Sequence, residues 1–162
     1  MRNELRELIA VSQAIGARPD LVQGGGGNTS VKIDERIMRI KASGMRLSEA
    51  KESSDFVAVD YRKILLYYDA LEGSRASESE SYDVINSCMI KEGGEENKKP
   101  SMEAGFHALL GKYVIHTHSV YANIIGCARD GERLLETIFQ DKGIGIMWLP
   151  YDNPGLFLAL GM

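Results

Sequence analysis

The chain is organised around one stretch, Ser101-Met102-Glu103-Ala104-Gly105-Phe106-His107-Ala108-Leu109-Leu110, which continues through Tyr113-Val114-Ile115 into His116-Thr117-His118-Ser119. All three histidines of the protein lie within it. The apolar run ahead of His116 predicts a buried strand. Because side chains two positions apart on a strand project from the same face, His116 and His118 are expected to point together. Two imidazoles at one strand edge form half of a first-row metal site, and zinc is the metal we expect.

An acidic residue precedes this pair on a predicted helix. Residues 102–110 read as one or two helical turns, which place Glu103 and His107 on one face. Each feature also has a structural interpretation: solvated histidines at a strand end, Glu103 in a first helical turn after a capping Ser101, and His107 as a hydrogen-bonded structural residue. Their concentration in one segment favours an active site.

The composition bounds the class of protein. At 162 residues, with 44% hydrophobic and 26% charged residues, the sequence predicts one soluble globular domain over residues 1–162. The net charge of −4 argues against a nucleic-acid partner, and no apolar stretch is long enough to span a membrane. Cys88 and Cys127 lie in apolar or helical contexts, which indicates buried thiols in a reducing compartment. We therefore expect a cytoplasmic protein.

Helical and strand patterns alternate along the chain, which predicts an α/β or α+β fold with a mixed or antiparallel sheet. The segment between Glu72 and Lys99 is rich in Ser, Glu, Gly and Lys, and is expected to be a solvated insertion. Helices are expected at 4–16, 61–71, 82–89, 102–110 and 120–139, and a short helical or loop piece at 47–50. Strands are expected at 31–34, 37–42, 56–60, 113–115 and 144–149. A rigid turn at 150–155 should lead into residues 156–160.

Four glycines precede Asn28-Thr29-Ser30. Such a loop exposes backbone N–H groups and can bind an anion, with the following amide and hydroxyls as further donors. It lacks the Gly-Lys-Ser/Thr of a P-loop, and a strand follows it where a dinucleotide-binding loop would open a helix. A flexible turn is the alternative. Ser43-Gly44 and Ser101 are further donors, and the set suits a phosphate or sugar hydroxyls.

Four motifs together resemble the class II aldolase/adducin family in order and spacing, from the first helix to the end of the chain. They are Gly26-Gly27-Asn28-Thr29-Ser30-Val31, Lys41-Ala42-Ser43-Gly44, Ser101-Met102-Glu103 with His107, and His116-Thr117-His118-Ser119. The four-glycine form of the first motif, with Pro150-Tyr151 and Pro154-Gly155, is most similar to the rhamnulose-1-phosphate aldolase-like branch.

The resemblance implies a three-layer α/β/α sandwich with a largely antiparallel central sheet, assembled into a ring that is usually a tetramer. It also implies a zinc ion, or another divalent metal, held by three histidines. The matching positions are His116 and His118 for the metal, Glu103 for acid–base catalysis, and Asn28, Ser43, Gly44 and Ser101 for the substrate phosphate. Gly27 and Thr29 are further candidates for the phosphate, and His107 for the metal.

The activity implied by the resemblance is cleavage of a ketose 1-phosphate to dihydroxyacetone phosphate and an aldehyde, through an enediolate stabilised by zinc as a Lewis acid. The alternatives are a sugar-phosphate 4-epimerase and a non-catalytic structural or interaction module like the adducin head. Met102 stands where the family has a second phosphate-binding serine. The family's third metal histidine and its proton-donating tyrosine lie beyond the region matched here, so we expect a C-terminally short domain.

Overall fold

The computed structural model describes residues 2–71, 77–91 and 97–162, and a five-stranded antiparallel sheet forms the middle of the fold. Its strands are β1 (Asn28–Lys32), β2 (Ile37–Lys41), β3 (Phe56–Asp60), β4 (Met89–Ile90) and β5 (Tyr113–His116). Their order across the sheet is β4-β3-β2-β1-β5, and every neighbouring pair is antiparallel. The hairpin predicted around Asp34-Glu35-Arg36 is confirmed as β1 and β2.

Seven α-helices accompany this sheet in the described part of the chain. They are α1 (Arg2–Gly16), α2 (Tyr61–Ala70), α3 (Glu78–Ser87), α4 (Ala104–Leu109), α5 (Val120–Gly126), α6 (Gly131–Phe139) and α7 (Leu156–Leu160), with short 3-10 helices at Leu47–Glu49 and Ser53–Asp55. None of the described helices is long and apolar enough to cross a membrane.

Alternate strand residues point to opposite faces of the sheet. Helices pack against the side chains on both faces. On one face, Val31 and Phe56 pack with Leu8 of α1. On the other face, buried strand residues pack with side chains of α2, α4 and α7. The strand residues include Met38, Ile40, Val57 and Val59, and the helix residues include Ile64, Phe106 and Leu156. The three-layer sandwich with an antiparallel sheet is therefore confirmed.

The alternation of β1 decides which of its polar residues can reach a site near α4. Thr29 faces α1, where its Oγ1 lies 2.7 Å from the Oγ of Ser12. Ser30 faces the opposite side, where its Oγ lies 2.7 Å from Nδ1 of His107. Asn28 shares the face of Ser30, because residues two apart on a strand project together.

The long helix predicted over 120–139 is wrong, because the chain forms two helices separated by residues 127–130. The chain turns between the two helices because the end of α5 lies close to the start of α6. A Cβ at Gly131, the first residue of α6, would overlap the backbone oxygen of Ile125 in α5. Glycine therefore permits a tight corner between the helices rather than continuation of one helix.

The strand predicted over 144–149 is also wrong, since this segment pairs with no described strand. Asp141 and Gly143 just before it have φ of 62° and 66°, so the backbone turns sharply there. Ile144, Ile146 and Trp148 then line a groove beside α6. The apolar run covers a helix instead of extending the sheet, and periodicity alone does not separate these two cases.

Two predictions around the site need smaller corrections. The strand over 113–115 was expected to be buried, but Tyr113 and Ile115 are 44% and 52% exposed because β5 is an edge strand and one of its faces is open. The helix expected at 82–89 begins earlier, at Glu78, with the hydroxyl of Ser77 accepting a hydrogen bond from the Glu80 N–H. The rest of the predicted insertion, at 72–76 and 92–96, lies outside the described residues.

Candidate active site

The candidate site lies where β5 ends beside β1, on the face covered by α4. His116 is the last residue of β5 and pairs in register with Asn28, so their side chains share that face. Glu103 occupies the N-cap position of α4. One of its carboxylate oxygens, Oε2, lies 3.3 Å from Nδ1 of His116. His118 follows two residues later, with its ring centre 4.9 Å from that of His116.

These three side chains form a candidate metal site. One ligand atom from each of Glu103, His116 and His118 can be chosen so that all lie within 4.8 Å of one another. Atoms bound about 2.0–2.2 Å from one ion lie no more than about 4.4 Å apart, so only a small side-chain adjustment is needed. Two imidazoles and a carboxylate are also a donor set that zinc and related divalent metals accept. The residues therefore fit the metal expected for this sequence.

Glu103 is held as a carboxylate. Burial by itself raises the pKa of Glu103, but contact and electrostatic interaction with His116 and a hydrogen bond from Asn28 together lower it to about 2. The Asn28 amide donates to Oε2 at 3.3 Å, and the Ser101 hydroxyl donates to the same oxygen at 3.3 Å. Glu103 is thus a fixed, ionised acceptor next to the two histidines.

His107 occupies a different position from the one expected of a metal ligand. Its side chain is fully buried, its Nδ1 is in hydrogen-bond contact with Ser30, and it lies outside the group of three candidate ligands. Burial, reinforced by the electrostatic effect of His116, lowers the pKa of His107 to about 3, so the His107 ring is neutral. This arrangement agrees with the interpretation of His107 as a hydrogen-bonded structural residue.

A cavity of about 310 Å³ opens next to Glu103 and His118. Of the predicted phosphate-binding residues, the structure brings Gly27, Ser43, Gly44 and Ser101 to its wall. Asn28 does not line the cavity and instead contacts Glu103. Thr29 is completely buried against α1, so the structure does not bring its hydroxyl to the site.

Two polar residues on the cavity wall were missed by the sequence analysis. Lys41 is only 3% exposed, and its ammonium group donates to the backbone oxygens of Met45 at 2.6 Å and Gly25 at 3.3 Å. Burial lowers the pKa of Lys41, while the charge of Glu103 opposes that shift. Lys41 lies at the end of β2, inside the Lys41-Ala42-Ser43-Gly44 motif, and this position could have indicated from the sequence that it belongs to the site. Tyr82 of α3 lines the same cavity, and no sequence pattern marked it.

Comparison with known proteins identifies the family. Residues 6–159 match the family model described as Class II Aldolase and Adducin N-terminal domain. The chain belongs to this family. The family expected from the sequence motifs is confirmed, and the similarity to its rhamnulose-1-phosphate aldolase-like branch stays a prediction.

Individual relatives of this chain agree with it in fold. The N-terminal class II aldolase domain of a conserved protein from Thermoplasma acidophilum has a TM-score of 0.80 and 29% identity, covering 95% of this chain and 71% of that one. YgbL from Klebsiella pneumoniae, a candidate aldolase, epimerase or decarboxylase, has a TM-score of 0.51 and 18% identity over 76% of this chain and 48% of its own, a likeness of fold alone.

A curated relative is much longer than this chain. The uncharacterized oxidoreductase YuxG from Bacillus subtilis (strain 168) is 30% identical over 166 residues, which cover 96% of this chain and 22% of YuxG. The chain thus spans about a fifth of the length of that relative.

Gly26 makes room for a candidate metal ligand. A Cβ at Gly26 would lie 2.7 Å from Nδ1 of His118 and 3.1 Å from its Cε1. Both distances are shorter than ordinary van der Waals contact, so the imidazole would have to move. The glycine loop therefore has a steric role besides any contact with an anion.

We expect Gly26→Ala to weaken metal binding by about 10–100-fold, the range found when the support of a ligand is disturbed. The added methyl group pushes the His118 ring away from Glu103 and His116. Titration with zinc followed by calorimetry measures the affinity. Gly25→Ala is the matched control, because a Cβ at Gly25 meets nothing within 4 Å. Equal affinities for the two variants would contradict the steric role.

Proposed function

We propose that this chain carries the active site of a metal-dependent aldolase that cleaves a ketose 1-phosphate to dihydroxyacetone phosphate and an aldehyde. One observation carries the proposal: an ionised Glu103 lies against His116 and beside His118, at the wall of a cavity that hydrogen-bond donors line. Membership of the class II aldolase and adducin family supports the same chemistry.

His116 and His118 are the residues proposed to hold the metal, with zinc as the expected ion. A divalent cation bound there would supply Lewis-acid polarisation of the ketose carbonyl group. The protein supports this role by keeping the two imidazoles together on the edge of the sheet, with Glu103 close enough to serve as a further ligand.

Glu103 is the proposed proton carrier. In a retro-aldol cleavage the hydroxyl on C4 loses its proton, the C3–C4 bond breaks, and its electron pair stays on the three-carbon fragment, which then takes a proton at C3. A carboxylate held by Asn28 and Ser101 can accept the first proton and return it in the second step. These two hydrogen bonds keep the orientation of the carboxylate fixed while the proton moves.

The phosphate is proposed to bind at Lys41, Ser43, Gly44 and Ser101, which line the cavity together with Glu103. Lys41 contributes a positive charge from a position that its own backbone contacts fix. Anchoring the phosphate would hold the reacting carbons against Glu103, and such positioning accounts for much of the rate enhancement in enzymes.

The test is cleavage of a panel of ketose 1-phosphates, with dihydroxyacetone phosphate detected through a coupled dehydrogenase. We expect cleavage of at least one sugar, its loss on treatment with a chelator, and its recovery on addition of zinc. Conversion of a pentulose phosphate to its epimer without cleavage would indicate the epimerase instead. No turnover of any sugar by zinc-loaded protein would refute the enzyme and favour the non-catalytic module.

We also propose that the chain self-associates, with a tetramer as the expected assembly. Support comes from α5, directly after the candidate ligands, which exposes the apolar side chains of Val120, Tyr121 and Ile124. Exposed apolar clusters of this kind mark interaction surfaces. Light scattering on the purified chain measures the number of copies, and a monomer at micromolar concentration would contradict the proposal.

A further inference from the structure

Helix α3 contributes one residue, Tyr82, to the wall of the cavity at the candidate active site. Tyr82 lies in the first half of this helix and lines the cavity that also contains Glu103, His118 and Ser43. Among the described residues, the phenol of Tyr82 makes no hydrogen bond. Tyr82 is half-buried, and its hydroxyl has no protein partner among the described residues, so a ligand in this cavity can take its hydrogen bond.

Two other side-chain donors on the cavity wall, those of Lys41 and Ser101, already have protein partners. The Lys41 ammonium donates to Met45 and Gly25, and the Ser101 hydroxyl donates to Glu103. Met102, which lines the cavity beside Ser101, has no donor to offer. Tyr82 is therefore a hydroxyl donor on this wall that can turn to a bound anion without giving up an existing contact.

The position of Tyr82 is fixed, because α3 is anchored on both sides of it. The carboxylate of Glu78 accepts hydrogen bonds from the backbone N–H groups of Leu156 at 2.8 Å and Phe157 at 3.2 Å, which joins α3 to α7. One turn after Tyr82, Ile85 is buried in the main core cluster. A side chain on such an element can select a ligand, since little ordering is required when the ligand binds.

We propose that Tyr82 donates a hydrogen bond to the phosphate group of the substrate and so favours phosphorylated sugars over unphosphorylated ones. The inference rests on the proposed function for the identity of the substrate. It assigns recognition of the phosphate in part to α3, a helix that lies in the segment which the sequence analysis interpreted as an insertion. Tyr82 is a specificity residue here and takes no part in the proton transfer.

The test compares Tyr82→Phe with the unaltered chain, first in the binding of inorganic phosphate by calorimetry. A hydrogen bond to a charged group accounts for about a tenfold change in affinity, so we expect Kd to rise about tenfold. In steady-state kinetics, KM for the ketose 1-phosphate should rise by a similar factor while kcat stays unchanged. KM for the same sugar without its phosphate should not change.

Two further variants make the result decisive. Tyr151→Phe, at a residue 91% exposed and away from the cavity, should leave every parameter unchanged. Ser43→Ala, at an exposed residue of the cavity wall, should weaken phosphate binding independently of Tyr82.

The inference is overturned if Tyr82→Phe binds phosphate like the unaltered chain while Ser43→Ala does not, and the proposed function then still stands. A fall in kcat for both forms of the sugar would also overturn it, because that pattern indicates a structural role. If the unaltered chain neither binds phosphate nor cleaves a sugar phosphate, the proposed function fails and the inference fails with it.

Discussion

Replacement of Glu103 by glutamine is expected to lower kcat for ketose 1-phosphate cleavage by about 10²–10⁴-fold, the usual contribution of a general acid–base residue. Glutamine has nearly the same shape and retains an oxygen that can accept the hydrogen bonds from Asn28 and Ser101. It cannot take a proton at the pH of the assay, so the loss would report proton transfer rather than altered packing. Stopped or coupled assays with saturating sugar phosphate and zinc give kcat directly.

The control for this variant is Glu136→Gln, which makes the same chemical change at an exposed position of α6 and should leave kcat unchanged. Zinc content must be measured in parallel, because Glu103 is also close enough to act as a metal ligand. A Glu103→Gln protein with full zinc and nearly normal kcat would refute the role as proton carrier. Loss of zinc together with kcat would instead identify Glu103 as a ligand.

The candidate metal pair was predictable from the sequence because its geometry is local. His116 and His118 are two residues apart, and a strand that ends at His116 leaves both side chains near one edge. Glu103 was predictable for a related reason, since a short helix leading into the same strand returns the chain to that edge. The hairpin, the strand over 56–60 and the first helix were likewise fixed by periodicity over a few residues.

The orientation of Thr29 was not predictable from the strand that the pattern indicated. The β-branched run suggested a strand that begins at Val31, whereas the structure begins β1 at Asn28. Once the strand includes Thr29, the alternation of faces turns its hydroxyl towards Ser12 and away from the cavity. A change of one residue reverses the face of a strand side chain, so the exact extent of β1 decides which polar residues belong to the site.

Lys41 and Tyr82 were not predicted as cavity residues because their positions depend on tertiary contacts. Lys41 lies in a motif that was recognised, but its burial depends on how the glycine loop and residues near Met45 fold over it. Tyr82 begins the helix predicted at 82–89, within a segment expected to be a solvated insertion, and it reaches the cavity because Glu78 and Ile85 anchor α3. Contacts between elements distant in sequence leave no periodic signal, and only the folded arrangement reveals them.

The double variant His116→Ala/His118→Ala is expected to abolish metal binding, because it removes two of the three donors in the candidate site. Elemental analysis of protein purified without chelator should give about one zinc per chain for the unaltered sequence and background values for the variant. At a free zinc concentration 100 times Kd, binding to the folded state adds about 2.7 kcal/mol, which raises Tm by about 5–10 °C for a domain of this size. The variant should show no such increase.

Ser30→Ala provides the matched comparison, because it disturbs the third histidine without touching the candidate ligands. It removes the hydroxyl in contact with Nδ1 of the fully buried His107. An unsatisfied buried polar group costs about 1–3 kcal/mol, so the free energy of unfolding should fall by that amount while zinc content and the zinc-dependent rise in Tm persist. If the double variant keeps its zinc, the metal is bound by residues other than His116 and His118. If Ser30→Ala loses its zinc, the position of His107 matters for metal binding, and His107 becomes the first further ligand to test.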